Sequence, residues 1–266
     1  MTETAAPSRA ALVTGGGRGI GRAIALALAR EGLAVAVAGR GRAALDDVVA
    51  QLPARRGLAV VLDVTDPASV ARSVDAVTST LGAVDVLVNN AGISESAPFL
   101  KTEPTLWDRH FAVNVTGPYR MVRAVLGGML ERGWGRVINV ASLAGLQGAA
   151  YVTAYTASKH AVVGLTRALA VEVAGRGVTV NALCPGFAAT DIVWQAARNV
   201  AARTGRSYDE AVEAIARLNP GGRLVEPDEI AAAAVRLVGD PAANGECVIL
   251  DGTSPPSASA VSRRNA

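Results

Sequence analysis

Seven short apolar runs, each parted from the next by a longer stretch, constrain this chain more than any other feature of its sequence. They fall at residues 10–14, 33–38, 58–62, 84–88, 136–141, 178–184 and 246–250. Runs of this kind, apolar almost throughout instead of at alternate positions, suit strands covered on both faces. Strands alternating with helical stretches predict an α/β fold: a doubly wound, seven-stranded parallel sheet with right-handed crossovers and helices on both faces. Ligands of such sheets bind outside the carboxyl ends of the strands. Gly15, Arg40, Asp63, Asn89, Ser142 and Pro185 all fall at or just after those ends. Six unrelated surface features are not expected to share one edge.

The first run ends in Thr14 and the turn Gly15-Gly-Gly-Arg-Gly-Ile-Gly21, which opens a helix over about 18–31. Glycines let a backbone approach a pyrophosphate, and the helix N-terminus adds N–H groups and partial positive charge. Gly15, Gly17, Arg18, Gly19, Ile20 and Gly21 are therefore candidate nucleotide contacts. At the end of the second run, where an acid would hydrogen-bond the 2′-hydroxyl of NAD, stands Arg40 instead. With Arg18 it makes a two-arginine clamp for the 2′-phosphate of NADP, so NADP(H) is favoured over NAD(H). Asp63, followed by Val64, either accepts from an adenine amino group or caps the helix starting near Pro67. Asn89-Asn90-Ala91-Gly92 suits a turn that tolerates left-handed backbone and borders the same edge.

Residues 142–159 carry the chemistry. Tyr155 and Lys159 are four residues apart and share one helix face. A tyrosine is a weak acid and base at neutral pH, and an ammonium held beside it favours the phenolate, so Lys159 is expected to lower the Tyr155 pKa. Ser142, at the end of the fifth run, is free to hydrogen-bond the oxygen on which Tyr155 acts. Tyr151 has Tyr155 and not a lysine four residues on, which places it in the pocket wall or the core. Asn114 lies inside a long helical region over 105–132, where asparagine competes for backbone bonds. It marks either a bent helix holding a water or a satisfied buried amide.

Composition excludes several other classes. The formal charge of +3 is spread without a block of like charges, which gives no sign of nucleic-acid binding. Cys184 and Cys247 lack metal-ligand spacing and read as structural thiols, and His110 and His160 are isolated, so no metal is expected. No apolar run reaches the roughly 20 residues of a membrane span, and no signal peptide is seen, which points to a cytoplasmic protein. The organisation expected is a frayed leader over 1–9, one domain over 1–252 with an insertion at about 187–225, and a low-complexity tail over 253–266.

The set Thr14-Gly-x-x-x-Gly-x-Gly21, Asp63-Val64, Asn89-Asn-Ala-Gly92, Asn114, Ser142, Tyr155-x-x-x-Lys159 and Pro185-Gly186-x-x-x-Thr190 resembles the short-chain dehydrogenase/reductase family over about residues 8–252. The resemblance implies an extended Rossmann fold, hydride transfer with a nicotinamide dinucleotide, and a homotetramer joined through the long helices that carry Asn114 and Tyr155. It makes Tyr155 the general acid/base. Lys159 binds the nicotinamide ribose and tunes Tyr155, Ser142 orients the substrate oxygen, Asn114 holds a relay water, and Thr190 contacts the carboxamide. Pro185, Gly186, Asn90, Ala91 and Gly92 join the cofactor contacts.

The substrate pocket implied is Ser94, Ala144, Tyr151, Phe187, Val193 and Trp194, beside apolar Ile192. Residues 157–164 and 180–187 look similar to bacterial ketoreductases acting on β-keto thioesters, which suggests a carrier-protein or CoA thioester. Arg198, Arg203 and Arg206 either meet such a carrier or form a solvated helix face. Gly92-Ile-Ser-Glu-Ser96 departs from the Pro-Gly-Gly run frequent in polyketide enzymes. Ala144 and Val152 stand where 3-hydroxybutyrate dehydrogenases bring polar side chains. The alternatives are an NAD-dependent hydroxy-acid or secondary-alcohol dehydrogenase of the same family, or a non-catalytic dinucleotide sensor.

Overall fold

The computed structural model describes residues 9–254 apart from Arg55. The expected leader and tail lie, but for residues 9, 253 and 254, outside them. The seven strands are β1 Ala10–Thr14, β2 Ala34–Gly39, β3 Gly57–Val61, β4 Val84–Asn89, β5 Gly135–Val140, β6 Val178–Pro185 and β7 Cys247–Leu250. They form one parallel sheet in the order β3-β2-β1-β4-β5-β6-β7. The order reverses between β1 and β4, so a crevice opens there at the carboxyl edge.

The five inner strands bury both faces, as their continuous apolar runs require, whereas the edge strands β3 and β7 are partly open, with Val61 and Ile249 exposed. On one face Val13, Val37, Val88, Ile138 and Leu183 pack against α1 (Gly19–Arg30), α2 (Arg42–Val49) and α9 (Pro227–Gly239), whose Ile24, Leu28, Leu45, Ile230 and Leu237 are fully buried or nearly so. On the other face Leu12, Leu87, Val137 and Val180 meet α3 (Pro67–Leu81), α5 (Gly117–Glu131) and α6 (Thr153–Glu172) through Val77, Met121, Met129 and Leu169. Helix α9 was not separately expected between the insertion and the last strand, yet it is the main partner of α1.

The long helix expected over 105–132 is interrupted. Helix α4 (Pro104–Phe111) passes through a π-helical turn (Ala112–Thr116) into α5. The Gly117 amide donates to Ala112 O, five residues back. Pro118 brings no N–H to the carbonyl four residues before it, that of Asn114, so the regular ladder fails at this point. The insertion folds as α7 (Asp191–Thr204) and α8 (Tyr208–Ala216), with a small core of Val193, Ala197, Ala211 and Ile215. An isolated bridge between Ala188 and Val225 closes its base. No helix among the described residues is long and apolar enough to cross a membrane.

Candidate active site

The glycine turn is built to leave backbone open. Gly15 and Gly19 adopt φ +63° and +51°, the left-handed region where a side chain would be strained. A Cβ on Gly21 would stand 2.3 Å from Gly15 O, so only glycine lets the turn close on the helix. Helix α1 begins at Gly19 without a side-chain cap, leaving its first N–H groups to an anion. Thr14 and Asn90 lock this shape from beneath. Thr14 Oγ1 accepts from the Asn90 and Ala91 amides at 3.0 Å each, and Asn90 Nδ2 donates to Thr14 O and Gly15 O, both at 3.0 Å.

The turn faces a cleft of about 610 Å³ that runs past Gly17, Ile20, Arg40, Asp63, Val64, Ala91 and Gly92 to Thr190 and Ile192. Asp63 Oδ1 accepts from the hydroxyl and amide of Thr65 at 2.7 and 2.8 Å. Those bonds, the hydroxyl first, hold its carboxyl below the usual range against the effect of burial, and Arg40 adds to them. The cap of α3 is Asp66, which accepts from the Ala68 and Ser69 amides. Asp63 is thus not the helix cap and remains at the cleft. Arg18 and Arg40 both border the cleft, though Arg18 also lies 3.7 Å from Asp191 at the start of α7, both side chains largely exposed.

Ser142, Tyr155 and Lys159 converge beside this cleft. Ser142 follows β5, and its Oγ accepts from the Ala144 amide at 3.1 Å and contacts Pro185 O at 3.4 Å. Its hydroxyl stands near enough to the Tyr155 phenol to favour the phenolate. Lys159 is buried and donates to Val140 O at 2.7 Å, its Nζ 5.7 Å from the centre of the Tyr155 ring. The Tyr155 pKa, expected below its ordinary value, stands above it in the structure. Burial raises Tyr155 more than the Ser142 hydroxyl lowers it, with Cys184 adding to the rise. Burial also brings Lys159 down to about 8, Cys184 partly opposing it. Desolvation dominates both shifts, so the neutral phenol is favoured.

Asn114 sits in the π turn with its side chain fully engaged. Its Oδ1 accepts from the Ile93 amide at 2.9 Å, and its Nδ2 donates to Ile93 O and to Ser158 Oγ, both at 3.0 Å. The satisfied buried amide and the bent helix are therefore both present. Ser158, buried and passing its own proton to Tyr155 O, was missed in the sequence because serine in a helix carries no distinctive signal. Asn219 was missed too. It holds the base of the insertion by accepting from the Phe187 amide and donating to Phe187 O and Arg223 O.

One expected pocket residue is placed differently. Val193 is 3% exposed inside the α7–α8 core, and Trp194 packs against that same core, because these positions face the partner helix. Val193 therefore supports the wall from behind, Trp194 is only partly buried, and Ile192 lines the cleft. Phe187 and Tyr151 are exposed, and Tyr151 adopts φ +66° while its carbonyl accepts from the Ala97 amide at 2.8 Å. Ala144 adjoins Ser142 through its amide, and Ser94 is exposed beyond Gly92. Gly186 lies where a Cβ would be 2.2 Å from Asn219 Oδ1, and Thr190 Cγ2 would be 3.3 Å from a Cβ on Gly19. Thr190 thus faces the glycine turn. Cys184 is buried with its thiol pushed up to about 12, chiefly by burial. Among the described residues no group of three His, Cys, Asp or Glu side chains could hold a metal.

Comparison with known proteins agrees with this geometry. The acetoacetyl-CoA reductase of Shinella zoogloeoides is 41% identical over 238 residues, 88% of this chain and 92% of that protein. The 3-oxoacyl-acyl-carrier-protein reductase of Vibrio harveyi is 39% identical over 247 residues, 91% and 95% of the two chains. Among solved structures, a variant actinorhodin polyketide ketoreductase with NADPH superimposes with a TM-score of 0.87 at 38% identity, covering 92% of this chain and 96% of its own. The short chain dehydrogenase profile matches residues 9–201. With seven parallel strands, a glycine turn at the switch point and Ser142, Tyr155 and Lys159 beside it, this oxidoreductase belongs to the short-chain dehydrogenase/reductase family.

Proposed function

We propose that the chain is an NADP(H)-dependent ketoreductase that interconverts a ketone and a secondary alcohol, with a hydrophobic or β-keto thioester substrate. One observation carries this reading: the Tyr155 phenol, with the Ser142 hydroxyl near it, lies beside a cleft whose β2 terminus offers Arg40 and no carboxylate. The names of the relatives, reductases of acetoacetyl-CoA and of 3-oxoacyl carrier protein, support the thioester substrate. NADPH in the actinorhodin reductase supports the cofactor.

The residues present fit that cofactor. The uncapped start of α1 and the left-handed glycines leave N–H groups and space for a pyrophosphate. Asp63 is left as an acceptor for an adenine amino group, and Arg40 with Arg18 would meet a 2′-phosphate. Lys159 would reach the nicotinamide ribose, with Pro185, Gly186 and Thr190 bordering the carboxamide. When bound, the nicotinamide supplies or takes up the hydride.

The protein contributes orientation and a proton. Ser142 Oγ donates to the carbonyl oxygen and so holds it against Tyr155 Oη. Tyr155, kept protonated by burial, passes its proton to that oxygen as charge develops there. The proton leaves a buried phenolate, and the Lys159 ammonium offsets its charge. The carbonyl of Asn114, without a donor from Pro118, holds a water through which the proton is replaced. A positioned acid of this kind contributes about 10²- to 10⁴-fold. Initial rates of NADPH oxidation with acetoacetyl-CoA and with a bulky cyclic ketone test the proposal, and a rate with neither would refute it if both bind. We also expect a homotetramer, which light scattering checks.

A further inference from the structure

The segment between β4 and α4 leaves the cleft at Gly92 and Ile93 and is then held at alternate residues. Ile93 is held by Asn114 through both its amide and its carbonyl. The Glu95 amide donates to Nε2 of His110 at 3.2 Å, and the Ala97 amide donates to Tyr151 O at 2.8 Å. Between these points Ser94 and Ser96 are exposed. His110 and Asn114 are four residues apart and engage successive held positions on the segment. The Glu95 carboxylate is held separately, by Arg109 at 2.6 Å.

His110 is completely buried, and its neighbours settle its tautomer. Leu106 O, 2.8 Å from Nδ1, can only accept, and the Glu95 amide can only donate. Nδ1 therefore carries the proton and Nε2 accepts, so every polar atom of a neutral ring is used. The same ring stands edge-on to Tyr155, with centroids 6.5 Å apart and an interplanar angle of 74°. One imidazole thus touches both the segment that continues from the cleft at Ile93 and the ring that carries the acid.

We propose that His110 is a positioning residue that sets the gap between the segment carrying Ser94 and Tyr155, and through it the substrate's fit. This rests on the ketoreductase reading of the cleft. His110 acts through the Glu95 amide and the Tyr155 ring and touches neither substrate nor cofactor.

Two variants separate the bond to Glu95 from the bond to Leu106. His110→Asn keeps a donor near Nδ1 for Leu106 O and removes the acceptor at Nε2. His110→Gln can bring an amide oxygen to the Nε2 position. The account expects His110→Asn to raise the KM for the ketone about three- to tenfold, as loss of one such bond implies. Its kcat changes less and its NADPH Kd stays within about twofold, and His110→Gln recovers most of the loss. Residue-resolved amide exchange gives an independent reading. In the wild type the Ile93, Glu95 and Ala97 amides should exchange slowly and those of Ser94 and Ser96 fast, and His110→Asn should release Glu95. The proposal is overturned by wild-type KM in His110→Asn, by equal damage in both variants, or by uniformly fast exchange across 93–97 in the unmutated protein. A wild type that reduces no ketone would sink the ketoreductase reading instead, while the exchange pattern would still decide whether His110 anchors Glu95.

Discussion

The Lys159 ammonium donates to the carbonyl of Val140 at 2.7 Å, tying the first half of α6 to the last residue of β5, two residues before Ser142. This bond fixes where the positive charge stands relative to Tyr155, on the next turn of the same helix. It also leaves Lys159 poorly hydrated, so the charge is held with difficulty.

That difficulty predicts a pH dependence. Lys159 titrates at about 8 and Tyr155 above its ordinary value. At neutral pH the lysine is charged and the tyrosine protonated, the pairing that reduction needs. As pH rises through about 8 the lysine loses its charge first and the phenolate left by proton transfer loses its counter-charge. The kcat/KM for ketone reduction is therefore expected to fall along that limb, followed with NADPH saturating. A profile flat to pH 10 would contradict the assignment of Lys159.

The proposed NADP(H) preference would rest on Arg40 more than on Arg18, because Arg18 is within reach of Asp191. Arg40→Ala should raise the KM for NADPH about ten- to hundredfold, the loss expected for a charge-assisted contact to phosphate. The KM for NADH should stay within about twofold. Equal loss for both cofactors would remove the clamp.

Asn219 is 2% exposed and satisfies three backbone groups at the base of the insertion. Asn219→Ala strands them, at about 1–3 kcal/mol for each group that stays dry. A Tm loss of about 2–4 °C per kcal/mol is expected, together with faster proteolysis within 187–225. Unchanged Tm and cleavage would show that the insertion is held elsewhere.

The strands were legible to within a residue or two because the five inner ones bury both faces, which makes the apolar run continuous and its ends sharp. The glycine turn and the Tyr155–Lys159 spacing were legible because local backbone geometry dictates them. Other features depend on contacts distant in sequence. Val193 looks like a pocket residue until α8 is packed against it, and Asp63 competes with Asp66 for the α3 cap until the turn is folded. The π turn has a signal in Pro118, whose missing N–H falls four residues after Asn114, but a proline near a helix start usually marks only a boundary. The direction of the Tyr155 shift is set by how deeply α6 sits, which spacing alone does not carry.

The most direct test is the initial rate of NADPH oxidation with acetoacetyl-CoA, wild type beside Tyr155→Phe, with NADPH binding measured on both. The account predicts turnover in the wild type, a loss of at least about 10²-fold in the variant, and matching NADPH affinity. Turnover that survives in Tyr155→Phe, with the fold and NADPH binding intact, would contradict the role of Tyr155 as the proton donor.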